Sequence, residues 1–359
     1  MQTRPQPLKG RGALGNPAGR FELIVRERAD DGWASGDEPP PAKACQELLP
    51  ELARTIIARN NSPDVPFTQS INPYRGCEHG CIYCYARPSH AYIDLSPGLD
   101  FETRLRYKPN AAQLLEMELA APGYRCESIT LGANTDPYQP VEAELGITRR
   151  LLEVCLRRRQ PVSIITKSAL VVRDADLLAQ LAERGLCHVY ISVTTLDDEL
   201  KRRLEPRTAS GAARLRAVAQ LAGRSVPVGV LVAPIIPMIN DAEIERILEA
   251  AARAGAGTAR WILLRLPWEV AGMFQEWLQA HYPQRAAHVM SLVRQSHGGR
   301  VNDPRFGSRM RGSGPFADLI ARRFKVAARR EGLDSKAWVE LDTSQFIGAP
   351  PPATQLPLI

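Results

Sequence analysis

The chain has 359 residues, of which 44% are hydrophobic and 24% charged, with a net charge of +7. This length can bury a large core with extensions, and the absence of any run of eighteen apolar residues argues against a membrane span. The N-terminal sequence lacks the apolar core of a signal peptide, and seven scattered cysteines argue against a disulfide framework. We therefore expect reduced thiols in a cytoplasmic protein, whose positive charge permits a phosphate-bearing partner without requiring one.

Residues 1–64 are predicted to form a mostly irregular extension, rich in basic residues and proline. Glycines and basic residues alternate from Lys9 onward, and Pro39–Pro41 break regular structure. The extension is interpreted as a solvated tail or, alternatively, as an arm that folds over the barrel or over a substrate. Glu47–Arg59 is predicted to form one helix.

Residues 65–270 alternate between β-branched runs and segments with helical apolar spacing, as parallel βα units do. Six such units are predicted, so the fold class is α/β. The predicted strands after the first unit are 128–132, 162–166, 187–194, 226–236 and 259–267. The predicted helices are 111–120, 148–159 with Thr148 as N-cap, 174–184, 210–221 and 241–254 with Asp241 as N-cap.

Residues 271–359 are predicted to form a helical extension with a basic segment. Two helices, 274–282 and 283–295, precede a loop rich in glycine and arginine. Pro315–Arg330 then has the pattern of a basic helix with proline in its first turn. Arg322, Lys325 and Arg329 fall on one face of that helix, which is typical of a phosphate-binding stripe and equally of a solvated face.

Three cysteines lie close together in the first unit, at Cys77, Cys81 and Cys84. Three thiolates without a fourth neighbour leave one corner of a metal centre open, whereas a structural zinc site is closed by four ligands. Gly76 and Gly80 permit the loop to curl around an anionic group. The alternative is a zinc loop completed by His79 or by a distant cysteine.

The Cys-x3-Cys-x2-Cys spacing, with Tyr83 just before the last cysteine, resembles the signature of radical S-adenosylmethionine (SAM) enzymes. The resemblance implies an open (β/α)6 partial TIM barrel. It also implies a [4Fe–4S] cluster held by the three cysteines, SAM on the fourth iron, and a reductant such as flavodoxin or ferredoxin. Reductive cleavage of SAM then yields a 5′-deoxyadenosyl radical that abstracts hydrogen from the substrate.

The same resemblance implies SAM contacts at the carboxyl ends of the strands. Thr135, Asp136 or nearby carbonyls would accept from the SAM amino group, although Asp-Pro is also a plain turn. Lys167 would pair with the SAM carboxylate or with a substrate phosphate, or is a solvated helix entry. Arg207 would clamp a carboxylate, or forms an ordinary ion pair with Glu205. The remaining candidates are Tyr83 on the cysteine loop, Ser192 and Thr194 for the ribose or carboxylate, and Ile236 beneath the adenine.

Four motifs together resemble the group related to spore photoproduct lyase, whose members are described as DNA-repair-photolyase-like. These motifs are Asn72–Cys77, Thr135–Glu142, Ile165–Ser168 and Pro234–Asp241. The resemblance implies DNA or RNA as a possible substrate, with peptide or metabolite modification as the rival. From another class, a non-catalytic metal-containing nucleic-acid-binding protein is the alternative. Tyr85, Tyr138 and Tyr190 are candidate hydrogen donors, whereas Cys187 begins a strand at the wrong barrel end.

Overall fold

A curved seven-stranded sheet forms the centre of the molecule in the computed structural model, which describes residues 7–22, 47–333 and 340–348. The strands are β1 (Glu47–Pro50), β2 (Ile57–Arg59), β3 (Gln69–Ile71), β4 (Tyr74–Arg75), β5 (Arg104–Tyr107), β6 (Ile129–Leu131), β7 (Val162–Thr166), β8 (Cys187–Ser192), β9 (Val228–Ile235) and β10 (Thr258–Leu263). The helices are α1 (Leu99–Thr103), α2 (Ala111–Leu119), α3 (Glu142–Leu145), α4 (Ile147–Arg158), α5 (Ala175–Ala182), α6 (Asp198–Leu204), α7 (Gly211–Ala222), α8 (Ile244–Arg253), α9 (Glu269–His281), α10 (Pro283–Ser296) and α11 (Pro315–Arg330). Short 3-10 helices span Arg87–Ile93, Ala169–Asp174 and Asp241–Glu243.

The sheet order is β10-β9-β8-β7-β6-β3-β2. The six strands from β3 to β10 are parallel neighbours, and β2 joins the edge antiparallel to β3. Parallel strands in chain order with helices between them curve into a barrel wall, because each crossover has the same hand. The sheet ends at β2 and β10 without closing on itself, which confirms the predicted α/β fold with an open six-unit partial barrel.

The two faces of the sheet differ in polarity because side chains alternate along each strand. Outward-facing aliphatic residues such as Val162, Ile164 and Val189 are fully buried beneath the surrounding helices. The inward face carries polar side chains, among them Ser163 and His188, which are paired in register across β7 and β8. The apolar face therefore packs on the helices, and the polar face lines the interior of the half barrel.

Three local predictions are wrong. Asp241 is not the N-cap of α8, because it lies in the 3-10 helix Asp241–Glu243 and α8 begins only at Ile244. The helix predicted for Glu47–Arg59 is instead β1 and β2, because β1 pairs with the distant β5 and β2 pairs with β3. Thr148 is not the N-cap of α4, because the helix begins after Gly146 in a left-handed conformation. The Thr148 backbone N–H donates to the buried Glu142 carboxylate instead.

The C-terminal helices cover the far edge of the barrel. α11 has the predicted bounds and packs on α8, with Phe324 against Trp261 of β10. Within the described ranges, no helix has the length and apolar content needed to cross a membrane. Pro39–Pro41, Cys45 and the chain after Gly348 lie outside the described residues, and the division at 64 and 270 stays a prediction.

Candidate radical SAM site

The cysteine loop lies at the carboxyl end of β3, between β4 and the 3-10 helix Arg87–Ile93. All three cysteines are free thiols, with Cys77 and Cys81 buried and Cys84 half-buried. Gly76 and Gly80 adopt positive φ values of 76° and 65°. Both were predicted to shape this loop, and a side chain on Gly76 would come within 2.6 Å of Leu105.

The electrostatics of this loop require a positively charged partner for its thiolates. Burial raises the pKa of Cys77, and the charges of Asp136, Cys81 and Cys84 raise it further. Burial likewise raises the pKa of Cys81, followed by the charge of Glu205. Buried thiolates at Cys77 and Cys81 therefore need a positively charged partner, which a metal centre would supply.

A single zinc ion does not fit these residues. Among the described residues, no three His, Cys, Asp or Glu side chains converge on a point where one ion would sit. His79, the proposed fourth zinc ligand, instead places Nδ1 3.3 Å from the Asp136 carboxylate. A cluster fits better, because each thiolate then binds its own iron and the sulfurs need not share one centre.

Asp136 is half-buried and anchors the segment behind the loop. Its oxygens accept from Thr166 Oγ1 at 2.7 Å and from the Lys167 backbone N–H at 2.7 Å. Burial alone would raise the pKa of Asp136, but His79 and these donors lower it to about 2. Thr135 donates from Oγ1 to the Tyr74 carbonyl at 2.9 Å. Both predicted SAM contacts thus have internal partners, and their contact with SAM stays a prediction.

Glu205 organises the wall facing Tyr83. This carboxylate is fully buried, pairs with buried Arg214, and accepts from the Tyr83 hydroxyl. Thr194 Oγ1 also donates to Glu205 at 2.7 Å. Burial alone would raise the pKa of Glu205, but Arg214 and the other partners lower it to about 2. Tyr83 and Thr194, both predicted from sequence, are therefore brought together by a carboxylate that the sequence analysis treated only as a partner for Arg207.

The remaining predicted residues surround this network. Lys167 Nζ lies 5.8 Å from the centre of the Tyr83 ring. The suggested Arg207–Glu205 ion pair is wrong, because Arg207 instead pairs with Glu78 of the cysteine loop at 3.0 Å. Ile236 is fully buried in the same apolar cluster as Cys81 and Tyr83.

Ser192 and the three tyrosines predicted as candidate hydrogen donors lie in different surroundings. Ser192 is buried at the end of β8, where its carbonyl accepts from Arg214 at 2.9 Å. Tyr85 directly follows Cys84, is exposed, and donates to the Ala133 carbonyl. Tyr138 is buried against Asp174, and Tyr190 lies lower in the barrel. Tyr85 is therefore the candidate hydrogen donor beside the cysteines.

The N-terminal arm, residues 7–22, is packed against the cysteine loop. The backbone N–H groups of Gly12 and Ala13 donate to the Glu102 carboxylate at 3.1 and 2.9 Å. Glu102 is fully buried and pairs with Arg87, which also donates to the Cys81 and Gly80 carbonyls at 2.8 and 3.1 Å.

The solvated-tail interpretation is therefore wrong for residues 7–22, and the alternative of an arm on the barrel is correct there. Farther along, the Arg20 guanidinium stacks on Trp268 at 4.0 Å and pairs with Glu269. The sequence analysis missed Arg87 and Glu102, because no local pattern distinguishes a buried ion pair from two surface charges.

Comparison with known proteins agrees with this geometry. Residues 71–251 match the radical SAM superfamily, and the chain belongs to that superfamily. It is thus a radical SAM enzyme that uses SAM, with its reaction unassigned.

An uncharacterized protein of Mycobacterium tuberculosis is 35% identical over 236 residues, which cover 65% of this chain and 69% of the relative. An uncharacterized protein of Methanocaldococcus jannaschii is 28% identical over 197 residues, covering 55% of this chain and 71% of the relative. Spore photoproduct lyase complexed with dinucleoside spore photoproduct shares the fold, with a TM-score of 0.57, 16% identity and 79% coverage of both chains.

Proposed function

We propose that Cys77, Cys81 and Cys84 hold a [4Fe–4S] cluster and that a nucleic-acid base is the substrate. When bound, the cluster supplies the electron that cleaves SAM, and SAM supplies the 5′-deoxyadenosyl radical that abstracts hydrogen. The observation that carries this proposal is the set of three free thiols, two of them buried, on one loop at the carboxyl end of a six-strand half barrel.

The residues around the loop have separate roles in this proposal. Lys167 supplies a cation for the SAM carboxylate, since its ammonium lies beside Tyr83. Ile236 and its apolar neighbours exclude water from the adenine side. The Glu205–Arg214 pair holds Tyr83 and Thr194 in place, which fixes the part of the loop just before Cys84.

Anaerobic reconstitution followed by dithionite and SAM tests the chemistry. We expect release of 5′-deoxyadenosine and methionine, and loss of that release in Cys77→Ala, Cys81→Ala and Cys84→Ala. Cys126→Ala is the matched control, because Cys126 is half-buried outside the loop. Release that persists in the loop variants would refute the cluster assignment.

The nucleic-acid substrate is supported by the charge of α11. Arg322, Lys325 and Arg329 are exposed, and none of them forms an ion pair with another described residue. Their neighbours Arg323 and Arg330 are instead paired with Glu245 and Glu331. The predicted stripe thus consists of the cations left available for phosphates. The lyase that shares this fold is described in complex with dinucleoside spore photoproduct, which favours the same substrate class.

Binding of a DNA oligonucleotide at low and moderate salt tests this substrate class. The triple variant Arg322→Gln, Lys325→Gln, Arg329→Gln should bind more weakly and with a shallower salt dependence, while SAM cleavage is unchanged. The matched control replaces three exposed arginines on other elements by glutamine: Arg54, Arg216 and Arg224. Equal loss in both triple variants, or no binding by the parent, would favour a peptide or metabolite substrate.

A further inference from the structure

A cavity opens at the amino-terminal end of the half barrel. Its volume is about 450 Å³, and its walls include the inward-facing Thr130, Ser163 and His188. These residues come from the first halves of β6, β7 and β8. His188 precedes Ser192 by four residues, which is about 13 Å along an extended strand. The lining also includes Ile165 and Tyr190, so the cavity extends from His188 toward the carboxyl ends of β7 and β8.

The floor of this cavity contains a polar atom that lacks a partner. Thr130 Oγ1 and Ser163 Oγ lie 2.7 Å apart and satisfy each other. His188 is only 3% exposed, and its Nδ1 has no hydrogen-bond partner among the described residues. Burial, with a further contribution from the charge of Arg260, lowers the pKa of His188 to about 4. The imidazole is thus neutral near pH 7, and its buried Nδ1 requires a ligand group or water to complete its bonding.

The rim of the cavity is acidic. Glu127 and Glu340 line it, and neither lysine nor arginine is among its described lining side chains. Burial raises the pKa of the neighbouring Cys126 thiol to about 11, and the charges of Glu127 and Asp342 add to that increase. Phe67 contributes an aromatic ring to the same rim. Carboxylates beside aromatic rings favour an organic cation.

A metal ion is the other cation that such a rim suggests, but the described side chains do not support one. No three His, Cys, Asp or Glu residues among them are placed to share an ion. The volume is also that of a small-molecule site, for which about 300–1,000 Å³ is usual.

From this arrangement we infer that the cavity binds a small organic amine. The ammonium group lies at the rim with Glu127 and Glu340, and an uncharged hydroxyl end lies in the depth, bonded to His188. The inference does not depend on the proposed cluster or substrate, because none of these residues contacts the cysteine loop.

Titration calorimetry with tyramine as the probe tests the inference. Tyramine carries an ammonium group at one end and a hydroxyl at the other. We expect saturable binding of one tyramine per chain, weakened at least tenfold for 4-hydroxyphenylacetate, which replaces the ammonium by a carboxylate. Phenethylamine, which lacks the hydroxyl, should also bind more weakly. No saturable tyramine binding, or equal binding of the acid, would overturn the inference.

Variants of the lining residues test whether tyramine binds in this cavity. Glu127→Gln with Glu340→Gln should weaken tyramine binding at least tenfold, whereas the control pair Glu183→Gln with Glu276→Gln, both exposed elsewhere, should not. His188→Phe should abolish the preference for tyramine over phenethylamine, provided that its circular dichroism melt shows a folded protein. Equal effects of the two glutamine pairs would overturn the inference even if His188→Phe does not fold.

Discussion

Replacing Gly12 by alanine should release the N-terminal arm from the cysteine loop. A Cβ at this position would lie 1.8 Å from the Gly80 carbonyl oxygen and 3.2 Å from the Ile82 nitrogen. Both of these atoms belong to the backbone of the loop, so no side-chain rotation relieves the clash. Either the arm or the loop must move by more than an ångström.

The free-energy cost of Gly12→Ala follows from the contacts that this movement disrupts. Overpacking costs about 1–3 kcal/mol, and each bond from the Gly12 and Ala13 backbone to the Glu102 carboxylate contributes about 1.5–3 kcal/mol. Because residues 7–22 contribute no strand to the sheet, we expect the arm to detach before the barrel unfolds, and the smaller figure then limits the observed effect. A destabilisation of about 1–3 kcal/mol increases the detached population roughly 5- to 150-fold.

Hydrogen–deuterium exchange of apo-protein measures this release directly. In Gly12→Ala, amides in residues 77–84 should exchange roughly 5- to 150-fold faster, and iron incorporation on reconstitution should fall. Gly15→Ala is the matched control, because a Cβ there meets no atom within 4 Å. Wild-type protection of residues 77–84 in Gly12→Ala would refute the role of the arm.

Three further predictions concern the site and its surroundings. Glu205→Gln should lower the free energy of unfolding by about 3–5 kcal/mol in urea titrations, because it leaves Arg214 as an uncompensated buried charge. The control is Glu199→Gln, which breaks the exposed Arg203–Glu199 pair, and a loss in Glu205→Gln no larger than in this control would contradict the prediction. Lys167→Gln should weaken SAM binding roughly ten- to a hundredfold in equilibrium dialysis, since one charge-assisted bond of about 1.5–3 kcal/mol is lost; an unchanged Kd would argue against the contact. Burial lowers the pKa of His90 to about 4, so below pH 6.5 the unfolded chain binds more protons than the folded chain. The free energy of unfolding should therefore fall by about 2 kcal/mol from pH 7 to 5. Replacing His90 by phenylalanine should reduce that pH dependence, and an unchanged pH profile in this variant would refute the prediction.

The sequence predicted the parts of the fold that depend on local periodicity. The parallel strands and α11 follow from alternating apolar runs and from Pro315 at a helix start. Glu47–Arg59 was predicted incorrectly because its pairing partners, β5 and β3, lie elsewhere in the chain. Non-local pairing leaves no periodic signal in so short a segment.

The candidate site shows the same limit. The spacing of the three cysteines identified the loop, and the strand ends located Lys167 and Thr194 beside it. The partners of those residues could not be predicted, because Glu205 and Arg214 meet only once α6 and α7 have packed. The sequence could not decide between an arm and a solvated tail, since Gly12 contributes only a backbone N–H and the absence of a side chain.

Electron paramagnetic resonance of the reduced, anaerobically reconstituted protein tests the central claim most directly. The account predicts iron and sulfide in equal amounts and a reduced-cluster signal that changes when SAM is added, because SAM would bind the iron that no cysteine holds. It also predicts that Cys84→Ala lacks this response while Cys126→Ala retains it. Protein that holds zinc without iron, or a cluster signal that SAM leaves unchanged, would contradict the account.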